Sequence, residues 1–202
     1  MNTLLCSDRK HPCWPLLEEF AENNGFLLTD DLRALEGGEY LFLMSCTTVL
    51  PKAFRNLYTH ALVLHESDLP KGRGWSPVAW QILEGRSRIT VSLLEAEDRV
   101  DSGAIWGQTV VFFDGTELAP EITKKITRAK FDLIENALIY EPSKREQIGE
   151  SSYYRRRTPE DSELNPFRSI ESQFDLLRIC EPRFPAFFTL RDQKYIVEIR
   201  KA

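Results

Sequence analysis

The amino-acid sequence predicts an α/β fold built on a mostly parallel sheet, followed by a small C-terminal α+β extension. Three observations carry that prediction. Ala61-Leu62-Val63-Leu64 is a continuous apolar run of the kind that suits a strand covered on both faces. Strand-like and helix-like segments alternate through the first 140 residues. A helix opening at Pro120 repeats Ile122, Ile126, Ala129, Leu133 and Ala137 at intervals of four and three, which makes one apolar stripe.

The elements follow in order. A short apolar run over residues 3–6 enters the polar loop Ser7-Asp8-Arg9-Lys10-His11-Pro12. Leu16, Leu17, Phe20 and Ala21 recur at helical spacing, and Gly25 supplies a C-terminal stop. Phe26-Leu27-Leu28 reads as a second strand and residues 40–44 as a third, entering the polar run Ser45-Cys46-Thr47-Thr48. Pro51 opens a short helix. After the apolar run at 61–64 comes a glycine-rich loop, then a helix start at Ser76-Pro77, with Ser76 placed to cap an orphan backbone N–H. Residues 89–94 and 106–113 read as strands. Beyond Tyr140, residues 141–152 form a polar connection and 153–162 an irregular segment. A helix follows from about Ile170, then two strands over 187–190 and 195–199. The division is therefore a core over residues 1–140 and an extension over 141–202.

With 202 residues, 42% hydrophobic and 28% charged, the chain has the composition of an ordinary water-soluble domain. A net charge of -5 argues against a general nucleic-acid partner, which needs a basic face. No apolar run is long enough to span a bilayer, and the first residues lack the basic start and apolar core of a signal peptide. Cys6, Cys13, Cys46 and Cys180 lack metal-type spacing, and His11 with Cys13 finds no second ligand pair. Reduced thiols, a cytoplasmic location and no metal are the expectation.

Two side chains stand out chemically. His65 ends the apolar run where it meets a loop rich in Gly and Pro, and Asp101 opens the next loop at Asp101-Ser102-Gly103. Alone, the first suits a structural histidine and the second a turn residue. Together they are an imidazole and a carboxylate, the pair that moves protons in acyl transfer. Arg155-Arg156-Arg157 is the main basic run of an acidic chain, and a solvated run is its ordinary reading.

The loop His65-Glu66-Ser67-Asp68-Leu69-Pro70-Lys71-Gly72-Arg73-Gly74 resembles the His-Pro-Ser-Leu-Leu-Pro loop, with its following Arg-Gly, of the formyltransferases that use N10-formyltetrahydrofolate. Asp101-Ser102-Gly103-Ala104-Ile105 is similar to their Asp-x-Gly-x-Ile motif. Arg156-Arg157-Thr158-Pro159-Glu160-Asp161-Ser162 resembles a segment of the sugar N-formyltransferases, and Pro182-Arg183-Phe184-Pro185-Ala186-Phe187-Phe188 a later aromatic–proline run. The resemblance runs from about Tyr40 to the C-terminus. It is nearest to the small nucleotide-sugar branch, including members of pseudaminic acid synthesis.

The resemblance implies a Rossmann-like core with His65 and Asp101 as catalytic residues. It implies N10-formyltetrahydrofolate as co-substrate in a slot formed by Met44, Ser45 and Leu50 on one side and Leu94, Ala96, Glu97 and Asp98 on the other. It implies a nucleotide-linked amino sugar as acceptor, a UDP- or dTDP-4-amino-4,6-dideoxy sugar. Arg9, Lys10, Ser67, Gly72, Arg73, Gly74, Tyr154, Arg156 and Arg157 are its candidate contacts, with the arginines suited to a pyrophosphate. Gly72 and Gly74 serve a tight turn or a close approach of backbone to the co-substrate. Alternatives are formylation of methionyl-tRNA and a non-catalytic folate- or sugar-nucleotide-binding relative. The aromatic residues of the C-terminal part suit a substrate lid, a homodimer surface or a small core.

Two departures from the pattern stand beside the histidine. Val63 occupies the position of the family's Asn, which is assigned to holding the formyl oxygen, and Glu66 replaces the following Pro. Valine offers no donor, and losing one such donor typically costs about 3 kcal/mol of transition-state stabilisation. The substitute is a backbone N–H of the glycine loop, the Ser45 or Thr48 hydroxyl, or protonated His65.

Overall fold

The structure is a computed structural model that describes residues 1–140 and 143–202. Its centre is a six-stranded sheet made by β1 (Thr3–Leu5), β2 (Leu27–Thr29), β3 (Gly38–Met44), β4 (Tyr58–His65), and two strands beyond a short crossover. That crossover holds the two-residue β5 (Arg73–Gly74) and helix α3 (Pro77–Leu83), and it leads to β6 (Arg88–Glu95) and β7 (Ile105–Phe112). Helix α1 (Trp14–Asn24) joins β1 to β2, and the short α2 (Lys52–Arg55) joins β3 to β4. The sheet order is β2-β1-β3-β4-β6-β7.

The first three pairings are parallel, as expected, while β4–β6 and β6–β7 are antiparallel. The connection over residues 96–104 explains the last of these: a parallel return needs a crossover of a dozen or more residues. It also swings that loop back toward the end of β4, beside His65.

Alternation along the strands divides the core. Phe42, Met44, Leu62 and Leu64 point to the face covered by α1, α3 and α4 (Ala119–Ile139), where the largest cluster lies. Leu41, Leu43, Ala61 and Val63 point to the other face. The predicted α4 stripe is buried throughout, and Phe131 of that helix stacks on Phe20 of α1 with centroids 4.1 Å apart. Burying each such side chain contributes roughly 1.5–3 kcal/mol. Gly25 closes α1 in the left-handed conformation, φ 67°, with its N–H on the Ala21 carbonyl. Ser76 precedes α3 but does not cap it by its hydroxyl, because its own backbone is left-handed, φ 53°.

After α4 the chain passes β8 (Tyr153–Tyr154), which pairs in parallel with β5. The expected connection over 141–152 begins at residues outside the described ones, as does the expected boundary after residue 140. Helix α5 (Phe174–Ile179) puts Ile179 into the main cluster, and the hairpin β9 (Ala186–Leu190) and β10 (Gln193–Val197) turns at Arg191 and Asp192, both at positive φ. Among the described residues, no helix is long and apolar enough to cross a membrane.

Candidate active site

The C-terminal ends of β1, β3 and β4 lie side by side, and the loops leaving them surround a cavity of about 500 Å³. Open α/β sheets bind ligands at this edge. His65, the last residue of β4, is 5% exposed and faces the cavity. Its Nε2 lies 2.8 Å from the Gly72 carbonyl, and its Nδ1 lies 3.4 Å from Asp101 Oδ2. A carbonyl only accepts, so Nε2 carries a proton in this arrangement and the Nδ1 edge is the one turned to the carboxylate.

Asp101 is held from the other side. Its Oδ2 accepts the Gly74 N–H at 2.8 Å, and its backbone carbonyl accepts from Gln147 Nε2 at 2.8 Å. Asp101 itself has φ 49°, a conformation Asp tolerates better than most residues. Gly74 explains its own presence: at φ 100°, with a Cβ that would fall 2.4 Å from the Tyr154 carbonyl, no other residue fits between β5 and β8. The close approach expected of the glycine loop is thus to Tyr154.

The missing amide donor at Val63 is not replaced by that loop. The N–H groups of Gly72, Arg73, Gly74 and Trp75 are all engaged, by Ser152 Oγ, the Ser152 carbonyl, Asp101 and the Tyr154 carbonyl. Ser45 and Thr48 line the cavity with their hydroxyls, while both ring nitrogens of His65 already face partners.

Of the residues the resemblance assigns to the co-substrate, Ser45, Leu50, Ala96 and Glu97 line the cavity. Met44 and Leu94 are corrected. Both are fully buried, Met44 in the helix-covered cluster and Leu94 against Leu69 and Ile105, and alternation gives the cavity Leu43 in place of Met44. Asp98 lies off the cavity wall and pairs with Arg55. Arg55, 8% exposed, also donates to the Ala96 carbonyl and stands 3.8 Å from Glu97, so it ties α2 to the facing loop.

On the acceptor side the structure divides the candidate contacts. Arg156 and Arg157 line the cavity. Arg156 donates to the Thr47 carbonyl at 2.8 Å and lies over the Trp75 ring, 5.9 Å from its centroid. Arg157 is 7% exposed, bonded to Ser162 Oγ at 3.0 Å and the Asp161 carbonyl at 3.3 Å. Among the described residues no carboxylate comes within 4.0 Å of its guanidinium, and its Nε has no partner.

Gly74 also lines the cavity; the other contacts fall elsewhere. Arg9 pairs with Asp30 at 2.9 Å and Lys10 is exposed; the turn of their loop sends Asp8, His11 and Cys13 to the cavity instead. Ser67 is buried off the cavity, its carbonyl accepting from Ser92 Oγ at 2.7 Å. Arg73 reaches Gln147 at 2.7 Å and Tyr153, and Tyr154 donates its hydroxyl to Glu84 at 2.8 Å. Gly72 acts through its carbonyl on His65.

Charged cavity residues to which sequence reasoning gave no role include Asp8, Glu66, Lys130 and Arg183; His11, of the Arg9-Lys10-His11 loop read as a phosphate candidate, lines it as well. Lys130 carried a legible signal, a lysine among the buried positions of the α4 stripe. It is 3% exposed and paired with Glu66. Burial pushes the Glu66 carboxyl up, but Lys130 and His65 outweigh it and the net shift is down. For Lys130 burial works downward and Glu66 outweighs it, so the ammonium is held. Burial and the Lys130 and Arg183 cations push His11 down to about 4, and its unprotonated Nδ1 accepts the Cys13 N–H at 3.2 Å. A hydrogen bond from Cys13 holds the Cys6 thiol down at about 7, and burial lifts Cys46 to about 12. Among the described residues, no group of three or more His, Cys, Asp or Glu is placed to hold a metal ion.

Comparison with known proteins identifies the family and the fold. The formyl transferase family model matches residues 27–138, more than half of the chain. A methionyl-tRNA formyltransferase from Clostridium thermocellum superposes with a TM-score of 0.81 at 22% identity, over 98% of this chain and 99% of that one. A 4-N formyltransferase from Francisella tularensis gives 0.74 at 16% identity, over 99% and 98%. HypX from Aquifex aeolicus, solved with tetrahydrofolic acid, gives 0.74 at 14% identity, over 98% of this chain and 37% of that one. At these identities the structures show a shared fold, and with the family match they lead to one conclusion: the chain belongs to the formyl transferase family and is an N-formyltransferase.

Proposed function

We propose that this enzyme transfers a formyl group from N10-formyltetrahydrofolate to the amine of a nucleotide-linked amino sugar, with His65 and Asp101 as its catalytic residues. The observation that carries the reading is the imidazole–carboxylate contact inside the cavity, 3.4 Å across, with each partner fixed by a second bond. The donor supplies an activated one-carbon unit. Leu50 and Ala96 offer apolar walls to a flat heterocycle, and the peptide edge of the 95–99 loop offers polar partners. An attacking amine forms the new N–C bond to the formyl carbon, and as the bond from that carbon to N10 breaks, N10 takes up the proton that the amine gave to the His65–Asp101 pair. The His65–Asp101 pair accepts the proton the amine releases, and the resulting positive imidazole faces the oxygen on which charge develops.

Arg156 and Arg157 support an anionic acceptor. A buried guanidinium without a counter-charge is costly, and a ligand phosphate would supply one. The likeness to the Clostridium methionyl-tRNA formyltransferase favours a second reading, formylation of methionyl-tRNA, against which the net charge of -5 stands. Purified protein is incubated with N10-formyltetrahydrofolate and a panel of UDP- and dTDP-linked 4-amino-4,6-dideoxy sugars, with methionyl-tRNA in parallel. Mass gain of one formyl group on a sugar supports the proposal. Formylation of the tRNA alone, or of nothing, overturns it.

A further inference from the structure

The cavity wraps around the end of β4, and consecutive residues there face opposite ways. His65 faces Gly72 and Asp101 on the donor side. Glu66 faces α4, where Lys130 meets its Oε1. The inner lobe beyond Glu66 has a chemistry of its own. Its walls are the aliphatic side chains of Ile122, Ile126 and Ile179, contributed by α4 and α5 and each at most 7% exposed. Its polar end is the Glu66 carboxylate, ionised and 14% exposed, with one oxygen on Lys130 and the second not engaged among the described residues. An ion pair at this depth is costly to bury. A strut needs neither an aliphatic cavity beside it nor a carboxylate oxygen left over.

We infer that this lobe is the specificity pocket for the acceptor: it takes a compact aliphatic ammonium, with the alkyl portion against the three isoleucines and the nitrogen on Glu66. This rests on the reading above that the acceptor is an amine. Glu66 then binds the amine in its protonated form, in the lobe next to the one His65 faces. Lys130 holds the carboxylate charged and in register.

The test uses the full chain with methyl-labelled isoleucines, titrated with isobutylammonium chloride and observed by NMR. Saturable shifts at Ile122, Ile126 and Ile179 are expected in the wild type. K130M leaves the probe's ammonium as the counter-charge of Glu66 and still binds it saturably. The double variant E66Q/K130M removes both charges together, keeps the fold, and binds at least tenfold more weakly. A strut would make K130M and the double variant behave alike. Equal affinity in all three proteins, or shifts confined to other methyls, overturns the inference. I126F, which fills the lobe, is expected to abolish the shifts while leaving KM for the formyl donor unchanged. If nucleotide sugars are not formylated but the probe still binds as described, the acceptor assignment fails and the lobe stands. If sugars are formylated and the probe does not bind, the reverse holds.

Discussion

Asp101 reaches His65 across 36 positions of chain, its Oδ2 standing 3.4 Å from Nδ1 while also accepting the Gly74 N–H. The contact depends on three separate elements. Antiparallel return of β6 brings the 96–104 loop to the end of β4. Gly74 lets β5 lie against β8 closely enough to present its N–H. The left-handed backbone at Asp101 turns the carboxylate inward. The carboxylate and the imidazole are thus positioned before any ligand arrives.

The pair is expected to act as a unit. H65N and D101N should each lower kcat by about 10²–10⁴, the range for losing a positioned proton acceptor, and the double variant should lose little more than either alone. Circular dichroism and melting temperature should stay close to wild type. Turnover within threefold of wild type in either single variant removes the residues from the mechanism.

Arg157 trades stability for binding. Its guanidinium is nine-tenths buried, and no carboxylate within 4.0 Å balances it among the described residues. R157M keeps the apolar stem and removes the charge, so the melting temperature should hold or rise. The acceptor should lose a charge-assisted bond of roughly 1.5–3 kcal/mol, which raises its KM by about 10- to 100-fold. Steady-state kinetics with each substrate varied in turn checks this; unchanged acceptor KM in a folded R157M contradicts it.

Where the chain's pattern is local, the structure was legible in it. The α4 stripe and Gly25 as a helix stop follow from spacing and loop chemistry, and the approach of His65 to Asp101 is what the family resemblance implied. What was hidden depends on partners. Met44 and Leu43 are equally apolar, so which of them faces the cavity is decided by the layer of helices that covers one face of β3. Arg9 and Lys10 have the charge for phosphate, but the turn between β1 and α1 points Asp8 and His11 inward. The antiparallel pairing of β6 with β7 rests on the shortness of one connection, while that of β4 with β6 has no local signal. Lys130 is readable only as an anomaly in a helix face, until Glu66 is seen opposite.

His11 gives the fold a pH dependence of definite sign. Its imidazole is pushed down from 6.5 to about 4, by burial first and then by Lys130 and Arg183. Between these values the unfolded chain binds a proton that the folded chain refuses. Stability is therefore fully present above pH 6.5 and is lost as pH falls toward 4, by an amount on the order of 3 kcal/mol. Asp161, held down at about 2 chiefly by Arg155, acts in a separate window below 3.8. Urea denaturation of H11N from pH 7 to 4 should show a flatter profile than wild type. An unchanged slope in H11N refutes the assignment.

Arg55 is the residue on which the donor slot should depend most without touching the reacting atoms. It sits at the end of α2, reaches across to the Ala96 carbonyl and Asp98, and is 8% exposed. The two walls of the slot, Leu50 before α2 and Ala96 beyond β6, have no backbone pairing between them, so this guanidinium fixes their separation. R55M keeps the buried stem and removes the donors, which frees the 95–99 loop to move. KM for the formyl donor should rise about tenfold, the equivalent of ~1.4 kcal/mol, with acceptor KM little changed. Amide exchange over residues 95–99 should quicken in the same variant, and R55K, with one donor in place of a fork, should fall between. A structural role confined to stability would lower the melting temperature and leave the donor KM where it was.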